Sequence, residues 1–377
     1  QNLVLGVTHA GTLVEVTTLE AQHSADPYRL PRHTRPTRYA VTLEPDLAAA
    51  TFRGVVTIDV VSDEPTGELV LNAAELEIAS ITVDGDAAGH ELDPSTERLV
   101  VTPDDAIDAG AHTVQIEFTG TLNDRLRGFY RSTYRDADGV EQVIATTQMQ
   151  STDCRRAFPC WDEPDFKAVF AITLVVEPDL MAVSNGRETD RTPRPDGKVA
   201  ITFADTMVMS SYLVAFVVGP LEATDWHDAD GIPVRIVHVP GKGHLTGFGL
   251  DVATFCLRWY QDYYGIEYPS DKVDLLALPD FAAGAMENLG CITFRENLLL
   301  VDQTASTQNE RQLVADVIAH ELAHMWFGDL VTMKWWNDLW LNESFAEWAS
   351  TTCQAEATQW TDAWTTFASM EKDWAYR

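Results

Sequence analysis

His320 and His324 stand four apart in the segment VIAHELAHMWFGDL, Glu321 lies beside the first, and Glu343 follows nineteen residues after the second. Four residues of α-helix turn about 400°, so both imidazoles project from one face, a turn apart. At that spacing two ring nitrogens can meet one zinc ion at about 2.0–2.1 Å. Glu321, one position round, is angled to hold a water rather than to ligate. A catalytic zinc needs a third protein ligand and an open position for water. Glu343 meets that need if a second helix folds back antiparallel to the first. The stretch from Met325 to Asn342 contains Gly328 and the VTMKWWND connection required for the reversal. The alternative is that these polar residues merely punctuate two buried helices. Three fixed letters recur by chance on the order of once in a hundred chains with this histidine content, and a capped amphipathic helix narrows the odds further. The expectation is therefore one zinc per chain on His320, His324 and Glu343, with Glu321 as the base. Ligating histidines also need a partner for the free ring N–H. Asp329 and Asp338 are the candidates, although either could equally be a helix cap or a solvated carboxylate.

The elements that must position these residues can be read from the pattern. From Tyr39 to about Pro220 the chain runs strand after strand. VVTIDVV, ELVLNAAELEIASITVDG, HTVQIEFTGTL, FAITLVVEP, KVAITFADT and YLVAFVVG are rich in Val, Ile, Thr and Phe and bounded by turn residues. RETDRTPRPDGK, Arg187 to Lys198, reads as a polar turn-rich loop between two strands. After GPLEATDWHDADG the pattern changes. LDVATFCLRWYQDYYG has helical spacing and a glycine stop, and a strand-like KVDLLALP and a glycine-rich FAAGAMENLGCITF follow. Thr307 and Glu310 fit a capping box that opens the histidine-bearing helix, with Gly328 as its stop. A second helix runs from about Asp338 through Cys353, and a third lies near the end of the chain. The expectation is an α+β chain: an extension over 1–26, a large antiparallel β domain over 27–220, and a helix-rich catalytic domain over 221–377.

Composition bounds the rest. A chain of 377 residues with 45% hydrophobic side chains can build sizeable cores in two domains. The 26 basic against 58 acidic residues give a formal charge of −32, which repels nucleic acid and anionic membranes. Five scattered cysteines (Cys154, Cys160, Cys256, Cys291 and Cys353) argue against a disulfide framework and for a reducing, cytoplasmic setting. One bridge between Cys154 and Cys160 stays open. No apolar run reaches the length of a membrane span, and the first 26 residues lack the basic start and apolar stretch of a signal peptide.

His320-Glu321-Leu-Ala-His324 followed by Glu343 resembles the gluzincin arrangement of the aminopeptidase N-type zinc metallopeptidases. Two further segments agree with that family in order: GAMEN, Gly284 to Asn288, which resembles its exopeptidase motif, and TTQMQSTDCRRAFPCWDEP, Thr146 to Pro164, which resembles the stretch its β domain lends to the active site. GFYRSTY, Gly128 to Tyr134, is also similar. The resemblance covers roughly residues 27 to 377. It implies an antiparallel β domain followed by the first part of a thermolysin-like catalytic domain. It also implies release of N-terminal residues from peptides, with Glu287 gripping the α-ammonium and Gly284, Ala285, Met286 and Asn288 lining the substrate edge. A carboxylate suits that task because a charge-assisted hydrogen bond fixes the amine. Met286, Gln148 and Met149 are candidates for the first side-chain pocket. Read without the family, GAMEN is an ordinary turn.

Three departures from the family pattern stand out. Gln150 occupies a position that is often a second carboxylate, two residues after Gln148, so it can accept a hydrogen bond from the amine but adds no charge. Ser344 replaces a usual glycine. The tyrosine expected to stabilise the oxyanion several dozen residues beyond Glu343 is matched by no residue except the early Tyr376, so the chain reads as the N-terminal part of a longer enzyme with weakened activity alone. The competing readings are a non-catalytic scaffold of the same fold and an epoxide hydrolase with peptidase side activity. Oligomeric state is left open.

Overall fold

A computed structural model of the chain describes residues 6–7, 13–14, 28–369 and 372–373. Most of the expected 1–26 extension, and Tyr376, therefore lie outside the described residues. Within the first stretch a short antiparallel pair joins Gly6–Val7 to Leu13–Val14.

The first half of the chain is built on sheets. A ten-stranded sheet runs, neighbour to neighbour, through 188–193, 199–203, 169–176, 34–46, 51–62, 110–121, 76–83, 86–93, 98–103 and 69–72. Its strands alternate because they bury one face: in Thr51–Ser62 the buried positions are Phe52, Gly54, Val56, Ile58, Val60 and Ser62. Val56 sits between Val41 and Ile116 on the flanking strands. Gly54 has no Cβ because one would lie 2.5 Å from the Phe118 ring. The sheet departs from the all-antiparallel expectation at one pairing, where Val169–Val176 runs parallel to Thr34–Asp46. The long excursion between those two strands supplies two strands of a second sheet, 128–135 and 141–148, and the chain beyond 176 supplies the others, in the order 128–135, 141–148, 216–219, 181–184.

Two local readings are corrected by the structure. Glu188–Pro193, expected as loop, is an edge strand paired with Val199–Phe203, and all six of its residues are exposed. Only the turn after it is loop. YLVAFVVG is not one strand: Ser211–Leu213 forms a 3-10 turn, and the strand begins at Phe216.

The second half mixes sheet and helix. Three parallel strands, Ile232–His238, Val273–Leu278 and Cys291–Arg295, form the middle of a six-stranded sheet. All six residues of Val273–Leu278 are buried, as expected for a parallel strand covered on both faces. Among the described residues it is accompanied by the helices α1 (Gly247–Tyr264), α2 (Gln308–Ala323), α3 (Leu339–Ala357) and α4 (Ala363–Ser369). Helix α1 ends at Gly265, which takes the left-handed conformation with φ 62°. Helix α2 opens with the expected capping box, in which Thr307 and Glu310 satisfy each other's backbone amides.

The two halves are bonded together through buried groups. Tyr130 donates to the carbonyl of Asp280 at 2.9 Å, and Asn185 donates to the carbonyls of Leu213 and Leu289, each at 2.8 Å. The ammonium of Lys272 donates to the carbonyls of Ser184 and Gly290. Gly290 is required at its position, since φ is +70° and a Cβ would lie 2.4 Å from the Asn185 carbonyl oxygen.

Candidate metal centre and substrate edge

Helix α2 delivers His320 and Glu321 in its last turn, and His324 caps it. The helix ends at Ala323 rather than at Gly328. Gly328 serves the reversal that follows: its φ is +147°, its amide donates to the Val331 carbonyl at 2.8 Å, and a Cβ there would press on His324 Nδ1 at 3.1 Å. The chain then returns through Met325–Asp338, and α3 packs against α2 to place Glu343.

The three expected ligands converge. His320 Nε2 lies 3.0 Å from His324 Nε2 and 3.3 Å from Glu343 Oε2, and His324 Nε2 lies 3.5 Å from the same oxygen. Tetrahedral ligands at zinc bond lengths stand about 3.3 Å apart, so this donor set fits a zinc ion in both chemistry and spacing. A carboxylate and two imidazoles also leave a fourth position open. Glu343 is partly exposed, whereas His324 is fully buried, so the centre opens to solvent on the Glu343 side.

The free ring nitrogens do not find Asp329 or Asp338. His320 Nδ1 lies 3.2 Å from Glu347 Oε2, and His324 Nδ1 lies 2.9 Å from the Phe327 carbonyl. The reason is local: one helical turn beyond Glu343 brings Glu347 under the same imidazole, and the tight turn after His324 aims a backbone carbonyl at the other. The signal for Glu347 was the i,i+4 spacing within NESFAEW. Asp329 is instead fully buried, with no hydrogen-bond partner on either carboxylate oxygen.

The buried polar atoms without partners among the described residues include Glu321 Oε2, Glu287 Oε1, Gln148 Oε1, Gln150 Nε2 and Asn288 Oδ1, and of these Glu321 and Glu287 feel the charge of both histidines. Burial pushes the Glu321 carboxyl up to about 7, against the pull of His320 and His324. Burial likewise raises Glu287, which His324 opposes and Glu343 reinforces. Burial would raise Glu343 too, but its hydrogen bonds to His320 and His324 hold it well below the usual carboxylate range. Buried, unpaired groups of this kind cost stability and mark sites where a ligand completes the bonding.

The candidate substrate edge is assembled from both halves. Ala285–Met286 is the last strand of the six-stranded sheet and pairs with Cys291–Arg295 on one side only. Gly284 anchors it through its carbonyl, which accepts from the Arg295 amide at 2.9 Å. Glu287 follows, nearly buried, and Asn288 donates to Thr293 Oγ1 at 3.1 Å. Gln148 ends the strand Glu141–Gln148, and its amide approaches Met286 Sδ at 3.6 Å, bringing the two segments together. Met149, the residue after the strand, and Met286 are both buried in the hydrophobic core.

Among the described residues, no helix is long and apolar enough to cross a membrane. All five cysteines are free and buried, including Cys154 and Cys160.

Comparison with known proteins agrees with this layout. Residues 35–213 match the peptidase M1 N-terminal domain and residues 248–376 match the peptidase family M1 domain. The chain is 46% identical over 325 residues to the puromycin-sensitive aminopeptidase of Caenorhabditis elegans, an alignment covering 84% of this chain and 34% of that protein. It is 43% identical over 331 residues to aminopeptidase M1 of Arabidopsis thaliana (85% and 37%) and 38% identical over 329 residues to human endoplasmic reticulum aminopeptidase 1 (85% and 35%). The chain thus spans about a third of the length of the curated relatives it matches. With two models of one family matched in chain order, it belongs to the peptidase M1 family.

Proposed function

We propose that this chain carries the zinc site and the amine-recognition edge of an aminopeptidase that releases N-terminal residues from peptides. The observation that carries the reading is the convergence of His320, His324 and Glu343 at 3.0–3.5 Å beside the unpartnered Glu321. Zinc bound there would polarise the scissile carbonyl and lower the pKa of its water. Glu321 Oε2, buried and without a partner, accepts the proton from the attacking water and returns it to the leaving amine. Glu287 Oε1 accepts from the α-ammonium of the substrate and so fixes cleavage one residue from the N-terminus. Gln148 and Gln150 add neutral acceptors on the facing wall. Ala285–Met286 offers its open edge to the substrate backbone as an added strand. Met286 shapes the pocket for the first side chain.

We further place the division between the β domain and the catalytic domain near Pro220, between the two matched segments. The five free cysteines favour a reducing compartment such as the cytoplasm.

The test is zinc content by plasma mass spectrometry, paired with hydrolysis of aminoacyl-coumarins and their N-acetylated forms. We expect one zinc per chain, lost in His320→Ala and His324→Ala, with turnover confined to free-amine substrates. Zinc uptake without any turnover would place essential groups outside this chain. Failure of the folded chain to take up zinc would favour a scaffold of the same fold. Equal cleavage of the acetylated substrates would remove Glu287 from its role.

A further inference from the structure

A second charged cluster lies away from the metal centre, where the two halves of the molecule meet. Lys272 and Asp274, 2% and 1% exposed, form an ion pair of 2.7 Å. Arg235 reaches the same carboxylate through Nε, donating to Asp274 Oδ1. One carboxylate therefore serves two cations, and the cluster holds a surplus of one positive charge, since (+1) + (+1) + (−1) = +1. Buried charge of this kind is stable when an anion or solvent balances it.

The surplus faces a cavity. Lys272, Asp274 and Arg235 line a hollow of about 540 Å³ together with Val183, Phe203 and Trp226. That volume lies within the range of small-molecule sites. The ammonium of Lys272 is already committed to the Ser184 and Gly290 carbonyls and to Asp274. Arg235 is different. Its side chain is 21% exposed, its guanidinium lies 4.2 Å over the Trp226 ring, and its η nitrogens meet no partner among the described residues. A guanidinium seated over an indole and anchored through Nε keeps its remaining N–H groups for a fork, the arrangement that grips a carboxylate.

The other charges at the rim do not cancel it. Glu188 is bonded to Arg191 by both oxygens at 2.8 Å, and Arg187 is paired with Asp271 at 3.1 Å. Each of those is a closed pair.

We propose that this cavity binds a small organic carboxylate, its anionic end on Arg235 and its apolar body against Val183, Phe203 and the edge of Trp226. The aromatic and aliphatic walls favour a carboxylate with a hydrocarbon body over a bare inorganic anion. Because the walls come from both halves of the chain, the ligand would also hold those halves together.

Isothermal titration of the full chain with 3-phenylpropanoate, 3-phenylpropanamide and inorganic phosphate tests this directly. We expect saturable binding of the acid, at least tenfold weaker binding of the amide, and weaker binding of phosphate. Arg235→Gln should weaken the acid at least tenfold, and so should Trp226→Ala, which should keep the fold intact by circular dichroism because the side chain is about half exposed. His324→Ala should leave the titration unchanged, which separates this cavity from carboxylate binding at the metal centre. Equal affinity for acid and amide, preference for phosphate, or full binding by folded Trp226→Ala would each overturn the proposal.

Discussion

Two buried polar clusters in this molecule use similar side chains to opposite ends. In the first, Arg155 donates from Nε to Asp162 at 2.9 Å, from Nη1 to Glu97 at 3.1 Å and from Nη2 to the Asp162 carbonyl at 3.2 Å. Asp162 also accepts from Ser211 at 2.7 Å, and Arg156 pairs with Asp153, Glu97 and Glu75. The charged groups here are paired and bonded. In the second, around Glu321 and Glu287, carboxylate and amide atoms are buried with nothing to bond. A satisfied network holds the chain in one arrangement. An unsatisfied one costs stability, which a ligand can repay by completing the bonding. Polarity and burial alone do not separate the two, whereas the count of unmet atoms does.

That contrast can be broken by substitution. The largest expected effect is on chemistry: Glu321→Gln should lower hydrolysis of aminoacyl-coumarins by about 10²–10⁴-fold. Its melting temperature should hold or rise, because an unmet buried carboxylate has been neutralised. Unchanged turnover would take Glu321 out of the reaction. Arg155→Ala should do the reverse, destabilising the fold by about 3–5 kcal/mol in denaturant titrations, since it strands the nearly inaccessible Asp162. Zinc per folded molecule should not change, and a selective loss of zinc would mean the networks are coupled.

A smaller effect is expected at Glu347, which touches no substrate. Glu347→Ala should weaken zinc binding about 10–100-fold in competition with a chelator by freeing the His320 ring. Affinity equal to that of the unaltered chain would show that Glu343 alone orients the imidazole.

The smallest effect is at the surface, where a pair belonging to neither cluster serves as a reference. His112 Nδ1 lies 2.7 Å from Asp84, and that hydrogen bond raises the histidine and lowers the acid. A raised histidine stabilises the fold fully below its unfolded value near 6.5, and this contribution fades as pH climbs through the folded value. For Asp84 the sign is opposite: its contribution is present above the unfolded value near 3.9 and is lost as pH falls. Asp84 is half exposed, so the pair contributes no more than about 1 kcal/mol. His112→Asn should therefore narrow the stability difference between pH 5.5 and pH 8.5 in thermal melts. An unaltered difference would show the pair to be fully screened.

The sequence made the candidate metal centre legible because helical spacing is a hard constraint on His320 and His324, and the reversal into the next helix brings Glu343 to them. Glu347 obeyed the same rule and was overlooked in favour of Asp329 and Asp338, whose attraction was chemical type rather than position. The partner of His324 could not have been read at all, since the Phe327 carbonyl belongs to a turn and carries no side-chain signature. The edge strand Glu188–Pro193 was hidden for a related reason. With every residue exposed, it has no alternation to display. The Ser211–Gly219 stretch failed from the opposite side, because an apolar run buried throughout looks alike as strand or turn. Gln148 and Met286 were separate candidates for one pocket, and only the folded chain shows them touching.

The bond from Asn185 to Leu289, and the Lys272 ammonium that bridges the Ser184 and Gly290 carbonyls, have a bearing on how such a site could work. Leu289 and Gly290 directly follow Glu287 and Asn288, so the first half of the molecule grips the loop that presents the proposed amine anchor. The span between that anchor and the histidines then acts as a fixed ruler, graduated once when the chain folds. A peptide would be measured against it on arrival. Exchanging the sheet-built half for that of a relative would shift the graduations even if every residue near the histidines were kept.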